Sequence, residues 1–506
     1  MTGYFCTIYM RTNLGMTMTC MVNSSAVLEL ENSLIEDFSE LSPNLNRSRI
    51  VPSRCGRPKE AIENSSDFNG EALLNDYGGE LVWSLNVQDM LFSATFFGAL
   101  ITTLPAGYIA QRTSPKAILL ITALNYIILT AIFPLVVKNA THHLVFAVRF
   151  LMGIGEGLIQ PTIDTLISRW IPISEKGLAA SMYTTGAQLA GAFGIPFSTI
   201  LCVSEWQWPA VYYITALFSL IWPCVFFATV TNKPLQTKIM TKSERTYLHE
   251  NLPQGDQNVR PPIPWKGMLT SIPFFSCLLC AFTYSMVLAL TQTYQPTFFK
   301  EVLYLPLADN GFYGATTQAV IVVVKLSWGV TMNKIKQNRF SNTTGCKISQ
   351  TFGSIVIAVF LVLLGFFSDC ANPLIALFLY CGISAGLGSI TNGYYASMLS
   401  LAPDYTGLLS SIVAMFGIFG MLATTRVVSF FRYTGVLEEW RIIYCIMAGM
   451  MILSGIIFLF FGKGESQEWG TYKAKIGDLE SARQSKRIKI ASICDTTPIP
   501  YKRAII

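Results

Sequence analysis

The sequence predicts an all-α integral membrane protein of twelve transmembrane helices in two six-helix halves, and three observations carry that expectation. Of 506 residues, 52% are hydrophobic and 13% charged, and the mean hydropathy is +0.45, outside the range of soluble globular chains. Twelve apolar stretches each hold about 20 residues, the length that crosses a hydrocarbon core of roughly 30 Å. A polar, proline-bearing stretch at 231–265 divides them six and six. That division fits two parallel repeats related by an axis along the membrane normal, with a substrate site between them near mid-depth.

Residues 2–22 form the first expected span. Arg11 interrupts its middle, whereas a cleaved signal peptide carries its charge ahead of the apolar run, so a membrane helix is the reading. The cytoplasmic stretch before it is expected to be missing from the chain or extremely short. Residues 90–110, 117–137, 144–166, 178–201 and 210–230 complete the first half; 274–296, 311–331, 348–367, 374–399, 408–431 and 442–461 form the second. The expected limits are 1–231 for the first half, with an extracytoplasmic loop at 23–89, and 232–266 for a cytoplasmic linker. The second half follows at 267–462 and a basic cytoplasmic tail at 463–506. Gly186, Gly191, Gly194 and Pro196 in span five echo Gly417, Gly420 and Met421 in span eleven. Glycines let membrane helices approach closely where packing rather than hydrophobicity holds a bundle.

Basic residues orient the bundle. Lys233, Lys238, Lys242, Arg245, Arg260 and Lys266 follow span six, Lys334, Lys336, Arg339 and Lys347 follow span eight, and the tail is lysine- and arginine-rich. The alternate short loops hold only Lys138, Lys300, Arg432 and Arg441. The first set is therefore cytoplasmic, and an even number of spans puts both termini there. The formal charge of +6 reflects this bias and points to no nucleic-acid partner. Sequons at Asn23, Asn46 and Asn64 then lie outside the cytosol, as does Asn139, while Asn342 lies inside and should stay bare. The expected location is the plasma membrane or a lysosomal or vesicular membrane, and the expected assembly is a monomer in the lipid bilayer.

The 12 cysteines show no metal spacing. Cys277 and Cys280 form a C-x-x-C inside an apolar helix, where small packing residues are the simpler explanation. Cys55 and Cys370 face the oxidising side, where pairing between them is one option. His142 and His143 flank a helix mouth and His249 lies in a loop. Gly153-x-Gly155-x-Gly157 lacks the preceding strand that a nucleotide site needs. No nucleophile, base and orienter stand at matching spacing, so neither enzyme activity nor a cofactor or metal is expected.

Span four holds the costliest residues. Arg149 and Glu156 are seven residues apart, which places them on one helix face about 10 Å apart along the axis. One charged side chain at the centre of a membrane helix costs about 2.5 to 3.5 kcal/mol on an insertion scale. A functional pair is the reading, and the competing one is a structural ion pair between helices. Arg11 lies near mid-depth of span one. Lys325 lies about halfway into span eight, as an anion contact or a structural partner, and Arg426 is near the outer end of span eleven, placed to snorkel.

Several motifs converge on a known family. Pro105-Ala-Gly107-Tyr108 followed by Arg112 and Lys116 resembles the signature loop of the major facilitator superfamily, with Gln111 in place of its acidic residue. Arg149 through Gly157, then Pro161, Trp170, Pro172 and Glu175-Lys176, resembles solute carrier family 17. That family of anion:cation symporters contains sialin, the sodium-dependent phosphate transporters and the vesicular glutamate transporters. Arg11-Thr-Asn13, Gly186-Ala-Gln188, Trp208 with Tyr212-Tyr213, and Pro296 before Lys300-Glu301-Val302 are further matches. So are Ala402-Pro403-x-Tyr405-x-Gly407, Glu439-Trp440 and Gly462-Lys-Gly464-Glu465, and the resemblance runs from Arg11 to Trp469.

The resemblance implies a major facilitator fold and transport of a small organic or inorganic anion with a proton or sodium ion by alternating access. It assigns anion recognition and coupling to Arg11, Arg149 and Glu156, and it places Tyr284 where glutamate transporters carry a second substrate arginine. Tyr284 and Lys325 join Arg11 and Arg149 as substrate-contact candidates, and Glu156 is the coupling candidate. In the expected cycle Glu156 protonation frees Arg149 for the anion, and proton loss restores their ion pair. The chain departs from the family at Met152, where sialin has another glutamate, at Asp164, at Phe92, and at Ser397-Met398-Leu399-Ser400 in span ten. A transport-inactive receptor or sensor that keeps the fold is the alternative these departures allow.

Overall fold

The computed structural model describes residues 1–23, 26–27, 77–171, 176–232, 240–241, 243, 264–338, 341–402, 405–432 and 435–470. Twelve long helices run through them: α1 (Thr2–Met21), α2 (Leu85–Arg112), α3 (Pro115–Asn139), α4 (His142–Trp170), α5 (Lys176–Val203), α6 (Gln207–Thr229), α7 (Ile272–Glu301), α8 (Leu307–Asn338), α9 (Asn342–Phe367), α10 (Pro373–Leu401), α11 (Thr406–Phe431) and α12 (Leu437–Phe461). Each expected span falls inside its helix to within one residue. Eleven of the helices, α2 to α12, are long and apolar enough to cross a membrane. The remaining one, α1, carries Arg11, Asn13 and five threonines, yet most of its residues are buried. Most of its surface packs against other parts of the protein rather than lipid, which is why its composition departs from that of its neighbours.

The helix packing repeats with an offset of six. In the first half α2 packs on α4, α3 on α4 and α6, and α1 on α5 and α6. In the second half α8 packs on α10, α9 on α10 and α12, and α7 on α11 and α12. The halves meet along α2 against α11 and α5 against α8. These two contacts are themselves related by the same offset, as two parallel repeats require. The end of this bundle that carries residues 230–232 and 264–265 is termed the linker end; the opposite, loop end carries residues 22–23 and 77–84.

Glycines explain why the helices come so close. A Cβ on Gly153 of α4 would sit 2.0 Å from the Thr95 carbonyl of α2, and one on Gly98 of α2 would sit 2.1 Å from the Phe150 carbonyl. The Gly153-x-Gly155-x-Gly157 run is therefore a helix-packing surface. The echo between spans five and eleven has the same basis. Gly186 and Gly194 receive α1, and Gly417 and Gly420 receive α7, which are equivalent contacts in the two halves; Gly191 instead faces Gln318 of α8.

The cysteines of the C-x-x-C pack as expected: Cys277 shares a hydrogen bond with Ser397, and Cys280 donates to the Ser454 carbonyl. A disulfide that sequence reading did not anticipate joins Cys20 and Cys202, tying α1 to α5 at the loop end. Cys370 is disulfide-bonded, and Cys55 lies outside the described residues. Asn23 and Asn139 stand at the loop end; the Asn23 side chain accepts from the Ala26 N–H, and Asn139 is exposed. Asn46 and Asn64 fall outside the described residues. Asn342 is at the opposite end, donating to the Gly464 carbonyl.

Candidate functional site

A cavity of about 550 Å³ lies between the halves, walled by α1, α2, α3, α4 and α5 on one side and α7, α8, α10 and α11 on the other. Its size falls in the range of pockets that hold small organic molecules. Two wall helices contain a π-helical turn, Leu290–Tyr294 in α7 and Thr391–Tyr395 in α10. Gln292, Asn392, Tyr394 and Tyr395 from these turns face the cavity. Such turns interrupt the regular ladder and recur at functional sites.

Three charged residues line the cavity: Arg11, Glu156 and Lys325. Arg11 projects from the middle of α1 and its Nη1 forms an ion pair with Glu156 Oε1. Its Nη2 donates to Gln292 Oε1 at 3.0 Å, so one guanidinium bridges the two halves. The second Glu156 oxygen accepts from the Tyr126 hydroxyl at 3.0 Å. The planar fork of arginine suits this double engagement. Tyr284 lines the opposite wall with its ring 5.6 Å from that of Tyr394. Lys325 is 7% exposed, and its Nζ donates to Thr184 Oγ1 of the other half at 2.8 Å.

Arg149 stands elsewhere, and this corrects the expected pairing. It is 3% exposed and absent from the cavity wall, and it lines a separate void of about 20 Å³ that also touches Arg11. Its Nη2 donates to the Arg11 carbonyl at 3.0 Å, its Nη1 approaches Met152 Sδ at 3.9 Å, and its guanidinium lies 5.9 Å from the centre of the Phe133 ring. Two turns of helix separate it from Glu156, and helical side chains lean toward the N-terminus, so Arg149 reaches away from the carboxylate. Arg11 arrives from another helix at the level of Glu156 and takes the place expected for Arg149. Arg426 is exposed, as snorkelling requires.

Sequence reading missed three groups. Gln292 and Tyr126 complete the Arg11–Glu156 cluster, and nothing in their flanking residues distinguishes them. Asp164, noted only as a departure, accepts from Tyr183 at 2.7 Å, and Tyr183 shares a 3.4 Å hydroxyl contact with Tyr395 across the halves. A clamp also closes the loop end. Arg432, just after α11, donates to both Glu301 oxygens at 3.1 and 2.7 Å and lies 3.8 Å from Asp89 of α2. Tyr294 donates to Asp89 at 3.0 Å, and Lys300 donates to the Thr19 carbonyl at 2.8 Å. Asp89 and Thr19 belong to the first half and their partners to the second. At the linker end no ion pair joins the halves among the described residues.

Comparison with known proteins places this geometry. The sequence pattern of the Major Facilitator Superfamily matches residues 1–425. An uncharacterised transporter of Caenorhabditis elegans, slc-17.3, is 37% identical over 97% of this chain and 90% of its own length. Sialin of Ovis aries is 27% identical over 92% and 88%, and a putative inorganic phosphate cotransporter of Drosophila melanogaster is 26% identical over 91% and 83%. The crystal structure of a D-xylose–proton symporter superposes with a TM-score of 0.63 at 15% identity, covering 92% of this chain and 98% of that one.

Proposed function

Because the chain belongs to the major facilitator superfamily and, within it, to solute carrier family 17, we propose that this transporter moves a small anion coupled to a proton or sodium gradient by alternating access. The observation that carries this reading is the Arg11–Glu156 ion pair in the wall of the inter-half cavity. A fixed cation in a low-dielectric cavity attracts an anion far more strongly than it does in water. Here that cation is already held by a carboxylate. Protonation of Glu156 breaks the ion pair, leaves Arg11 free for the anion, and retains Tyr126 and Gln292 as neighbours. Proton loss restores the pair and expels the anion. Arg149 then serves as a support, holding the α1 backbone at the Arg11 carbonyl. Tyr284 and Lys325 complete the substrate contacts from the second half.

In this reading the halves at 1–231 and 267–462 rock about the cavity, and the clamp of Asp89, Tyr294, Arg432 and Glu301 opens when the cavity faces the loop end. Basic loops support a cytoplasmic linker end with both termini inside, in a plasma, lysosomal or vesicular membrane. Glycans then belong on Asn46, Asn64 and Asn139, with Asn23 the poorest acceptor because its side chain caps Ala26.

The test is uptake by liposomes holding the full chain, under an imposed proton gradient and then a sodium gradient. Glu156→Gln mimics the protonated state, so anion exchange at equal pH is expected to persist while proton-driven accumulation is lost. Undiminished proton-driven accumulation by that variant overturns the coupling role, and accumulation by the wild type that follows sodium alone assigns sodium as the driving ion.

A further inference from the structure

Charge and depth within the cavity restrict the substrate further. Of the three charged wall residues, Arg11 is neutralised by Glu156, and Lys325 has no carboxylate within ion-pair distance among the described residues. Its ammonium has three donors, and the contact to Thr184 engages one of them. Keeping such a charge in a membrane interior is costly, and residues of this kind mark substrate paths. The neighbouring wall is neutral: Gln188, Tyr284, Asn392 and Tyr395 offer amides and hydroxyls.

The two cations sit on opposite halves and at different depths. Gly186, two residues beyond Thr184 on α5, packs against the backbone of Met1 and Phe5 at the start of α1. Arg11 stands six residues further along α1, about 9 Å of helix rise beyond that level. A compact anion such as inorganic phosphate reaches one cation or the other. An elongated molecule with an anionic group at each end reaches both. When Glu156 is protonated, the wall carries two cations, and a dianion neutralises both.

We propose that the cavity selects an extended organic dianion, one anionic group on Arg11 and the other on Lys325, so that the substrate itself ties the two halves together. This rests on the anion-transport reading above and adds Lys325 as the residue that sets the charge of the substrate. On binding, the second anionic group engages the Lys325 ammonium beside its contact with the neutral Thr184 hydroxyl. Each end of the substrate then holds a different half, so release at either face requires both contacts to break.

The experiment compares adipate with its monomethyl ester, which keeps the chain and removes one charge, alongside inorganic phosphate. Uptake into liposomes that hold the full chain is driven by a proton gradient and, in a parallel set, by a sodium gradient. Wild type is expected to prefer adipate over the ester by about ten-fold or more, the worth of one charge-assisted contact. In Lys325→Met that ratio should fall to about one, and Lys325→Arg, which keeps the cation, should retain most of it. The ratio is independent of how much protein folds. If wild type takes up the ester or phosphate as well as adipate, or if Lys325→Met keeps the preference, the dianion inference is overturned while anion transport stands. If wild type takes up none of the three, both readings fall together.

Discussion

Arg11 illustrates how one guanidinium engages both halves of the bundle at once. Its two terminal nitrogens point at different partners, a carboxylate in the first half and an amide in the second, and a single ammonium cannot hold both in that planar geometry. Arg11→Lys therefore keeps the charge and loses one contact. The apparent KM for the anion is expected to rise about 10-fold or more, the cost of one hydrogen bond to a charged group. Initial-rate uptake at matched surface expression measures it, and an unchanged KM removes Arg11 from the substrate contact. The cost of this residue was legible in the sequence, because a charge in the middle of an apolar helix is costly wherever it lies. Its partner was not. The spacing of Arg149 and Glu156 shows that they share a face and says nothing of which other helix comes between them.

Helices α2 and α4 show the same division at the scale of elements. Their existence follows from about 20 apolar residues each, since a segment in lipid must satisfy its backbone internally and only the helix does so within one chain segment. Their close approach depends on Gly98, Gly153 and Gly157, whose added Cβ atoms would fall within 2.4 Å of the facing helix. Gly153→Val should force α2 and α4 apart. Overpacking of this kind costs about 1 to 3 kcal/mol, and the variant is expected to melt at lower temperature in detergent, with reduced uptake. An unchanged melting temperature would mean that the contact tolerates separation. The π-helical turns in α7 and α10 are a different matter, because they depend on how the cavity walls meet and neither Leu290–Tyr294 nor Thr391–Tyr395 contains a residue that forces one.

At the scale of the whole molecule, the two ends of the bundle differ. The loop end is joined across the halves by buried charge, whereas the described linker end is joined by hydroxyl contacts such as Tyr183 with Tyr395. Ion pairs away from water hold their geometry until both partners are resolvated. On the proposed cycle, the clamp is therefore a barrier to opening at that end. Asp89→Asn removes the cross-half charge and keeps the Arg432–Glu301 pair, so the loop end should open more often. In a Thr95→Cys background, labelling by a membrane-impermeant thiol reagent from the loop side is expected to speed up several-fold. An unchanged labelling rate would show that the clamp does not limit opening.

The sequence by itself determined the helices, their number, the division into halves, the family and the costly charges Arg11, Arg149, Glu156 and Lys325. Each of these follows from one-dimensional facts: apolar run length, a polar break at mid-chain, motif order, and ionisable residues where lipid forbids them. Tertiary structure alone decided that Glu156 answers to Arg11, that Arg149 stands behind the site, that Lys325 meets Thr184 across the interface, and that Asp89, Arg432 and Glu301 close one end. These pairings join residues 131 to 343 positions apart or on different helices. A side chain's partner in a bundle is set by the rotation and depth of the neighbouring helix, and hydrophobic periodicity leaves both undetermined.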